Sequence, residues 1–320
     1  MIEARIPISP RPEWFNRAKL ITASLREFYP DTLVRLSIGD DWIAPGAYKN
    51  LEEGSRDWFN QSPLNTISVI NRNDFLAWQN TRAEYLATIL DTFKPPFTGD
   101  HILHMDGDVM PMARFDELLK IDAICGVQAH HAPYGVAGWQ SLFSLFGLGQ
   151  PPLDVPYSGW GSMFNDQSQR FGPPYFNSGM VFGPRPLFER LAGPYLDIID
   201  RLCGYVTDRY WFDQLGLALA FAEERIPTRH LPLRYNFPNR PSFELANPAE
   251  EMDIRFLHFM QPDVVDRDCE FASPEALAKF VTRHDLKGTN DMLRLRVAKL
   301  LPLAGLAMPA VQSAEEAPYA

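Results

Sequence analysis

Short apolar runs alternate with amphipathic segments along most of this chain. Residues 12–29 and 75–93 carry apolar side chains at the spacing of one helix face, and apolar runs at 33–38 and 66–70 predict strands. The stretch 5–8 makes a poor first strand, because it contains a proline, which cannot donate to a sheet ladder. Strands and helices in this order are typical of an α/β fold, in which helices flank a mostly parallel sheet.

Residues 102–110 read Ile-Leu-His-Met-Asp-Gly-Asp-Val-Met and deliver two carboxylates, Asp106 and Asp108, around a glycine. An apolar run of this length suits a buried strand, and ligands collect beyond the carboxyl ends of strands in open α/β sheets. Neighbouring carboxylates repel each other unless a proton or a cation lies between them, and oxygen ligands favour Mg²⁺ or Mn²⁺. Gly107 would let the backbone turn so that both side chains face one ion. The pattern therefore predicts a divalent-metal site, although a strand that runs into an acidic turn would look the same.

Three later segments place polar side chains beside apolar runs. These side chains are Asn177 and Ser178 before an apolar strand, Asp213 and Gln214 at a predicted helix start, and His258 inside a late apolar run. Taken singly, each segment has an ordinary structural explanation. Asn177 would be a turn residue, Asp213 a helix-initiating acid and His258 a core histidine.

The order of these signals resembles the retaining GT-A glycosyltransferases of glycosyltransferase family 8. The resemblance spans residues 64–260 and includes the segment 231–237, Leu-Pro-Leu-Arg-Tyr-Asn-Phe, which is similar to the family's Leu-Pro-x-x-(Phe/Tyr)-Asn. It implies a GT-A fold, a Rossmann-like mixed α/β sheet flanked by helices, which binds a nucleotide-diphosphate sugar. Residues 1–125 would then supply the donor half.

The resemblance also implies a role for each polar side chain. Asp106, Asp108 and His258 match the metal ligands, and an imidazole beside two carboxylates favours Mn²⁺ over Mg²⁺. Asp213 and Gln214 match the catalytic pair that faces the anomeric carbon of the sugar. The residues at donor-binding positions are Asp106, Asn177, Ser178 and Arg82. Arg82, within the predicted helix 75–93, could equally be a solvated charge.

Two stretches depart from the family pattern. Residues 129–174 are long, aromatic and rich in glycine and proline, without a clear helical or strand period. Aromatic faces suit sugar rings, so this insert is expected to form an acceptor-site lid that includes Trp139 and Trp160, unless its aromatic residues fill a satellite core. After His258, the chain reads Met-Gln-Pro-Asp at 260–263 instead of the family's Gly-x-Lys-Pro-Trp. Diphosphate binding by that loop is therefore not predicted.

The amino-acid composition of the chain argues against some classes of function. The 320 residues are 46% hydrophobic and can bury one large core or two modest ones. A formal charge of -10, without a concentrated basic patch, argues against nucleic acid as a partner. Three cysteines without a Cys-x-x-Cys pair suit a reducing cytoplasm, and no run is long enough to span a membrane. The start lacks the long apolar core of a signal peptide.

The last part of the chain differs in amino-acid composition from the rest. Residues 292–306 combine leucines with Arg294, Arg296 and Lys299. A basic apolar helix can lie in a membrane interface, which would allow peripheral contact with the membrane, but a helix docked on the domain would look the same. Docking is the expected arrangement, and residues 313–320 are expected to be disordered.

Residues 1–285 are therefore expected to form one catalytic domain, with an acceptor half at 126–285 and a C-terminal segment at 286–320. The expected activity is metal-dependent, retaining transfer of a sugar from a nucleotide-diphosphate sugar, with a UDP-sugar as the expected donor, to a glycan, lipid-linked or small hydroxyl acceptor. One alternative is a haloacid-dehalogenase-type phosphatase, which also ends an apolar strand in Asp-x-Asp but normally near the start of its chain. The other is a catalytically inactive, nucleotide-sugar-binding relative.

Overall fold

A computed structural model describes residues 1–39, 53–70, 86–129, 133–156, 171–206, 212–260 and 264–306. Arg82, Trp160 and the terminal stretch 313–320 lie outside these residues, as does the first part of the predicted helix 75–93.

The central feature is a seven-stranded mixed sheet in the order β10-β6-β9-β4-β1-β2-β3. Its strands are β1 (Ile2–Ile8), β2 (Leu33–Gly39), β3 (Asn65–Ile70), β4 (His101–Met105), β6 (Ile124–Gln128), β9 (Phe176–Pro184) and β10 (Thr228–His230). Strand β9 runs antiparallel to both of its neighbours, and the other pairs are parallel. The strands predicted at 33–38 and 66–70 are confirmed.

The judgement that residues 5–8 make a poor first strand was wrong, because β1 lies inside the sheet between β4 and β2. Its pairing with β4 covers only Ile2 to Arg5, so Pro7 lies beyond the last residue that pairs with β4. At that point β1 pairs only with β2. A proline is tolerated there because one side of the strand has no partner strand to receive a hydrogen bond.

A second, three-stranded sheet lies next to the end of β4. It consists of β5 (Val109–Pro111), β12 (Phe256–His258) and β11 (Phe237–Pro238), in the order β11-β12-β5. Strand β5 is antiparallel to β12, and Val109 pairs with His258. Because β5 begins one residue after Asp108, this register brings His258 beside the acidic turn. A two-stranded sheet is formed by β7 (Val155–Pro156) and β8 (Phe171–Gly172).

Helices cover both faces of the central sheet. They are α1 (Pro12–Phe28), α2 (Glu53–Asn60), α3 (Leu86–Thr92), α4 (Val136–Leu145), α5 (Arg185–Leu202), α6 (Phe212–Glu223), α7 (Pro241–Ala246), α8 (Pro248–Glu251), α9 (Arg267–Glu270), α10 (Pro274–Val281) and α11 (Gly288–Leu300). Alternate residues of β4 point into two apolar cores, with Leu103 and Met105 on the side of α1 and Ile102 on the side of α5. The helix predicted at 12–29 is confirmed by α1.

The aromatic insert contains a helix that its sequence was not expected to form. Helix α4 buries Trp139, Leu142 and Phe143, which follow the i, i+3, i+4 spacing of one helix face. Trp139 is fully buried and packs edge-on against Tyr134, Phe143 and Tyr175. For Trp139 the satellite-core alternative is therefore the correct one, because its ring is enclosed by protein.

The basic C-terminal helix α11 docks on α1, as expected. The buried guanidinium of Arg296 donates to the Ser24 hydroxyl and forms an ion pair with Glu27 at 2.7 Å. Lys299 also pairs with Glu27. Two of the three basic side chains are therefore engaged with α1. In the described part of the chain, no helix combines the length and apolar character needed to cross a membrane.

Candidate active site

The Asp-Gly-Asp turn connects the two sheets and is held by backbone hydrogen bonds. The Asp106 amide donates to the Gly179 carbonyl on β9 at 3.0 Å, and the Phe259 amide donates to the Asp108 carbonyl at 2.9 Å. A Cβ on Gly107 would lie 2.9 Å from the Trp14 ring. Glycine is therefore required here because the turn packs directly on α1.

Three side chains meet at this turn in the arrangement of a metal site. Ligand atoms of Asp106, Asp108 and His258 all lie within 4.8 Å of one another, and His258 Nε2 is 3.3 Å from Asp108 Oδ1. Asp108 and His258 are buried, whereas the Asp106 side chain is 27% exposed. Two carboxylates and one imidazole fit a divalent ion such as Mn²⁺ and would leave further coordination positions for a ligand.

A chain of side-chain amides fixes which nitrogen of His258 faces this cluster. Asn177 Oδ1 accepts from the Gly179 amide at 2.9 Å and from Asn236 Nδ2 at 2.7 Å. Since Asn236 presents its amide nitrogen to Asn177, its Oδ1 faces His258 Nδ1, at 3.0 Å. Nδ1 must then carry the proton, and Nε2 keeps the lone pair that a metal ion needs.

Tight packing accounts for the Asn-Ser-Gly sequence on β9. A Cβ on Gly179 would lie 2.7 Å from both Asn177 Oδ1 and His258 Cε1. Only glycine therefore lets β9 approach the imidazole so closely. Gly179 therefore matters to the site because of its small size, and it takes no part in the chemistry.

Burial dominates the protonation of the cluster. It raises the pKa of Asp106 to about 6, against the opposing charges of His258 and Arg267. It lowers the pKa of His258 to about 4, so the imidazole is neutral at pH 7. Burial also raises the pKa of Asp213, although a hydrogen bond from Ser178 opposes that shift. Several carboxylates therefore share a desolvated space, in which a bound cation would be strongly favoured.

The predicted catalytic pair lies on the first turn of α6, beside the metal cluster. Asp213 and Gln214 are both buried, and the charge of Asp213 acts on the pKa of Asp106. Gln214 Oε1 is buried without a hydrogen-bond partner among the described residues. An unsatisfied buried oxygen is costly, and a sugar hydroxyl could supply the missing donor. Asn177 Oδ1 is engaged within the protein, by the Gly179 amide and Asn236 Nδ2.

The structure thus brings together Asp106, Asp108, Asn177, Ser178, Asp213, Gln214 and His258. Asn236 is in the quoted 231–237 segment, yet its role could not be assigned from the sequence. Arg267, on α9, forms an ion pair with Asp108 and had not been singled out. A basic residue nine positions after His258 is a weak signal, because short helices carry such residues on any surface.

Comparisons with known proteins identify the fold. No family model matches the chain, and no curated protein matches it in sequence. Among solved structures, galactosyltransferase LgtC in complex with donor and acceptor sugar analogues is similar over 97% of this chain and 98% of that chain, with a TM-score of 0.51 and 13% identity. An active-site mutant of LgtC is similar over 94% of this chain and 95% of that chain, also with a TM-score of 0.51 and 13% identity.

The chain has the GT-A glycosyltransferase fold. The fold inferred from the ordered motifs is therefore confirmed, and the similarity extends over nearly the whole length of both chains. At 13% identity, the structural similarity shows the fold alone. The roles of individual residues have to be inferred from the geometry of this chain.

We expect Asn236→Leu to weaken binding of Mn²⁺ alone by about 10- to 100-fold, because it removes the acceptor that fixes the tautomer of His258. Calorimetric titration with MnCl₂ measures the effect. Asn236→Asp, which keeps an acceptor for His258 Nδ1, should lose less affinity. Unchanged affinity in a folded Asn236→Leu variant would show that Asn236 does not orient the imidazole.

We also expect affinity for Mn²⁺ to fall as the pH is lowered. Asp106 has a pKa of about 6 and takes up a competing proton, whereas His258, with a pKa of about 4, stays neutral. Below about pH 6, affinity should drop about tenfold per pH unit, because one proton is displaced per ion bound. Titrations at about pH 7, 6 and 5 test this dependence. An Asp106→Asn variant should bind weakly at every pH, and a flat wild-type profile would contradict the assignment.

Proposed function

We propose that this chain is a metal-dependent, retaining glycosyltransferase related to glycosyltransferase family 8. It would move a sugar from a nucleotide-diphosphate sugar, with a UDP-sugar as the expected donor, to the hydroxyl of a glycan, a lipid-linked acceptor or a small molecule. The observation that carries this proposal is the cluster of Asp106, Asp108 and His258 at the end of β4, in a GT-A fold. LgtC, with the same fold, was solved with donor and acceptor sugar analogues.

The cluster supplies the donor half of the site. Asp106, Asp108 and the lone pair of His258 Nε2 would hold Mn²⁺ or Mg²⁺. Such an ion neutralises a diphosphate and stabilises the negative charge that the diphosphate gains as it leaves. By resemblance, Asn177 and Ser178 would orient the transferred sugar, and their hydrogen bonds to Asn236 and Asp213 support a place beside the cluster. By resemblance, Arg82 would add a positive charge near the donor.

Asp213 and Gln214 would stabilise the sugar during transfer. Positive charge develops at the anomeric carbon as the bond to the diphosphate breaks, and the Asp213 carboxylate and the unpaired Gln214 Oε1 are suited to stabilise it. An inverting mechanism needs a base on the opposite face to deprotonate the acceptor hydroxyl. Retention instead allows the departing diphosphate to accept that proton on its own face.

The structure gives less information about the acceptor than about the donor. Trp139 is enclosed in the core of the insert, so a lid would have to use other residues of 129–174. Helix α11 is docked on α1, which gives no support to membrane contact through its basic side chains. We propose the cytoplasm as the location, on the composition of the chain and its widely spaced cysteines. The GT-A fold argues against the phosphatase alternative.

Turnover of a panel of nucleotide sugars with Mn²⁺ tests the proposal, and an NMR spectrum of the product gives its configuration. We expect an α-linked donor to give an α-linked product, and excess chelator to abolish turnover.

Gln214→Ala should lower kcat by about 10- to 100-fold with little change in donor affinity, because the contact of Gln214 with the sugar strengthens in the transition state.

The control is Asp106→Ala, which should lose metal binding, donor binding and turnover together while remaining folded. A β-linked product from an α-linked donor would contradict the retaining mechanism. Binding of a donor without any turnover would instead point to an inactive, sugar-binding relative.

A further inference from the structure

Two arginines that no motif marks lie near the acidic turn, one in direct contact with it and one next to a ring that packs on it. Arg267, on α9, forms an ion pair with Asp108 Oδ2, and its side chain is 32% exposed. It lies in the chain segment that follows the metal-binding His258. In that segment the lysine of the family pattern is missing, because residues 260–263 read Met-Gln-Pro-Asp.

Arg17, on α1, is fully buried and is close enough to Arg267 for their like charges to interact. Its guanidinium stacks over the Trp14 ring at 4.1 Å, and the same ring packs on Gly107. Its ion pair from Nη2 to Asp268 Oδ1 is long at 3.5 Å. Nε and Nη1 have no hydrogen-bond partner among the described residues.

The burial of the poorly paired Arg17 guanidinium lowers the stability of the fold when no ligand is bound. Burial and, to a lesser extent, the like charge of Arg267 lower the pKa of Arg17 to about 9. The carboxylate of Asp268 offsets only part of this, since its side chain is 56% exposed and therefore well screened by water. Buried charges that are poorly paired are retained where they serve a ligand.

Charge balance indicates the class of that ligand. A divalent ion would neutralise the carboxylates of Asp106 and Asp108, so that Arg267 would lose the anion that pairs with it. A diphosphate diester carries two negative charges and would bind the same ion. Guanidinium groups also offer the paired donors that phosphate oxygens accept.

We propose that Arg267 and Arg17 form the anion-binding side of the donor site, where Arg267 donates directly to the diphosphate and the buried charge of Arg17 adds to the attraction. This inference rests on the proposed function. Arg267 takes the place of the missing lysine, and it reaches the site from a later position on the chain. Arg17 acts on the diphosphate at longer range, through its positive charge.

The test compares two ligands in titrations of the full chain: MnCl₂ alone, and inorganic diphosphate in the presence of Mn²⁺. Arg267→Met should weaken diphosphate binding by about 10- to 100-fold, because a charge-assisted hydrogen bond is lost. The same variant should bind Mn²⁺ alone at least as tightly as the wild type, because Arg267 would compete with the ion for the carboxylate of Asp108. Unchanged diphosphate affinity, or joint loss of both ligands, would overturn the proposal.

Arg283→Met is the matched control. Arg283 anchors the same segment through Glu270 and the Val264 carbonyl, but these bonds lie away from the metal cluster. It should leave diphosphate affinity unchanged. An equal loss in this variant would mean that the position of the segment matters and not the charge of Arg267, and would overturn the assignment.

Arg17→Met separates a functional role from a structural one. It should weaken diphosphate binding by about 10-fold, yet leave Tm equal or higher, since an apolar side chain of similar length replaces a poorly paired buried charge. A lower Tm would mark Arg17 as a structural residue.

The titrations also separate failure of the proposed function from failure of this inference. If the wild type itself fails to bind diphosphate with Mn²⁺, the proposed function fails. If the wild type binds diphosphate and the arginine variants bind it equally well, only the assignment of the arginines fails.

Discussion

Two carboxylates and an imidazole share a largely desolvated space at the end of the central sheet, and the rest of the site depends on how their charges are balanced. The Asp106 carboxylate has its pKa raised by burial, and the buried His258 is held neutral. The negative charge of Asp213 adds to the imbalance. Such a cluster is poorly suited to stabilise a fold by itself, and it is well suited to bind a cation and a polyanionic ligand.

The fold builds this cluster from elements that are distant in sequence. Strand β4 brings Asp106 to its carboxyl end, and the pairing of β5 with β12 sets His258 beside Asp108. Gly107 and Gly179 remove the side chains that would keep α1 and β9 away. The amides of Asn177 and Asn236 then select the nitrogen that His258 presents. Each contact restricts one degree of freedom of a metal ligand, so the site is organised before any ligand binds.

Local patterns were sufficient to predict much of this arrangement. The period of α1, the runs of β2 and β3 and the apolar strand before Asp106 are set by short-range alternation, which a sequence displays directly. The ordered motifs also predicted the GT-A fold. Helix α4 was missed because its glycine and aromatic residues obscured a helical face of only three buried side chains.

Contacts across long sequence separations could be predicted only where a family motif marks the residues. Asn236 is 22 residues from His258, and Arg267 is 159 residues from Asp108. Nothing local distinguishes an asparagine that orients an imidazole from one that ends a turn. The proline of β1 led to a wrong prediction for the same reason, because its cost depends on which sides of the strand are paired.

The most direct test of this account is to locate the ion by anomalous X-ray diffraction from crystals grown with Mn²⁺. The account predicts a single strong anomalous peak within about 2–2.5 Å of a carboxylate oxygen of Asp106, a carboxylate oxygen of Asp108 and Nε2 of His258. Coordination through His258 Nδ1, or an ion bound away from Asp106 and Asp108, would contradict it.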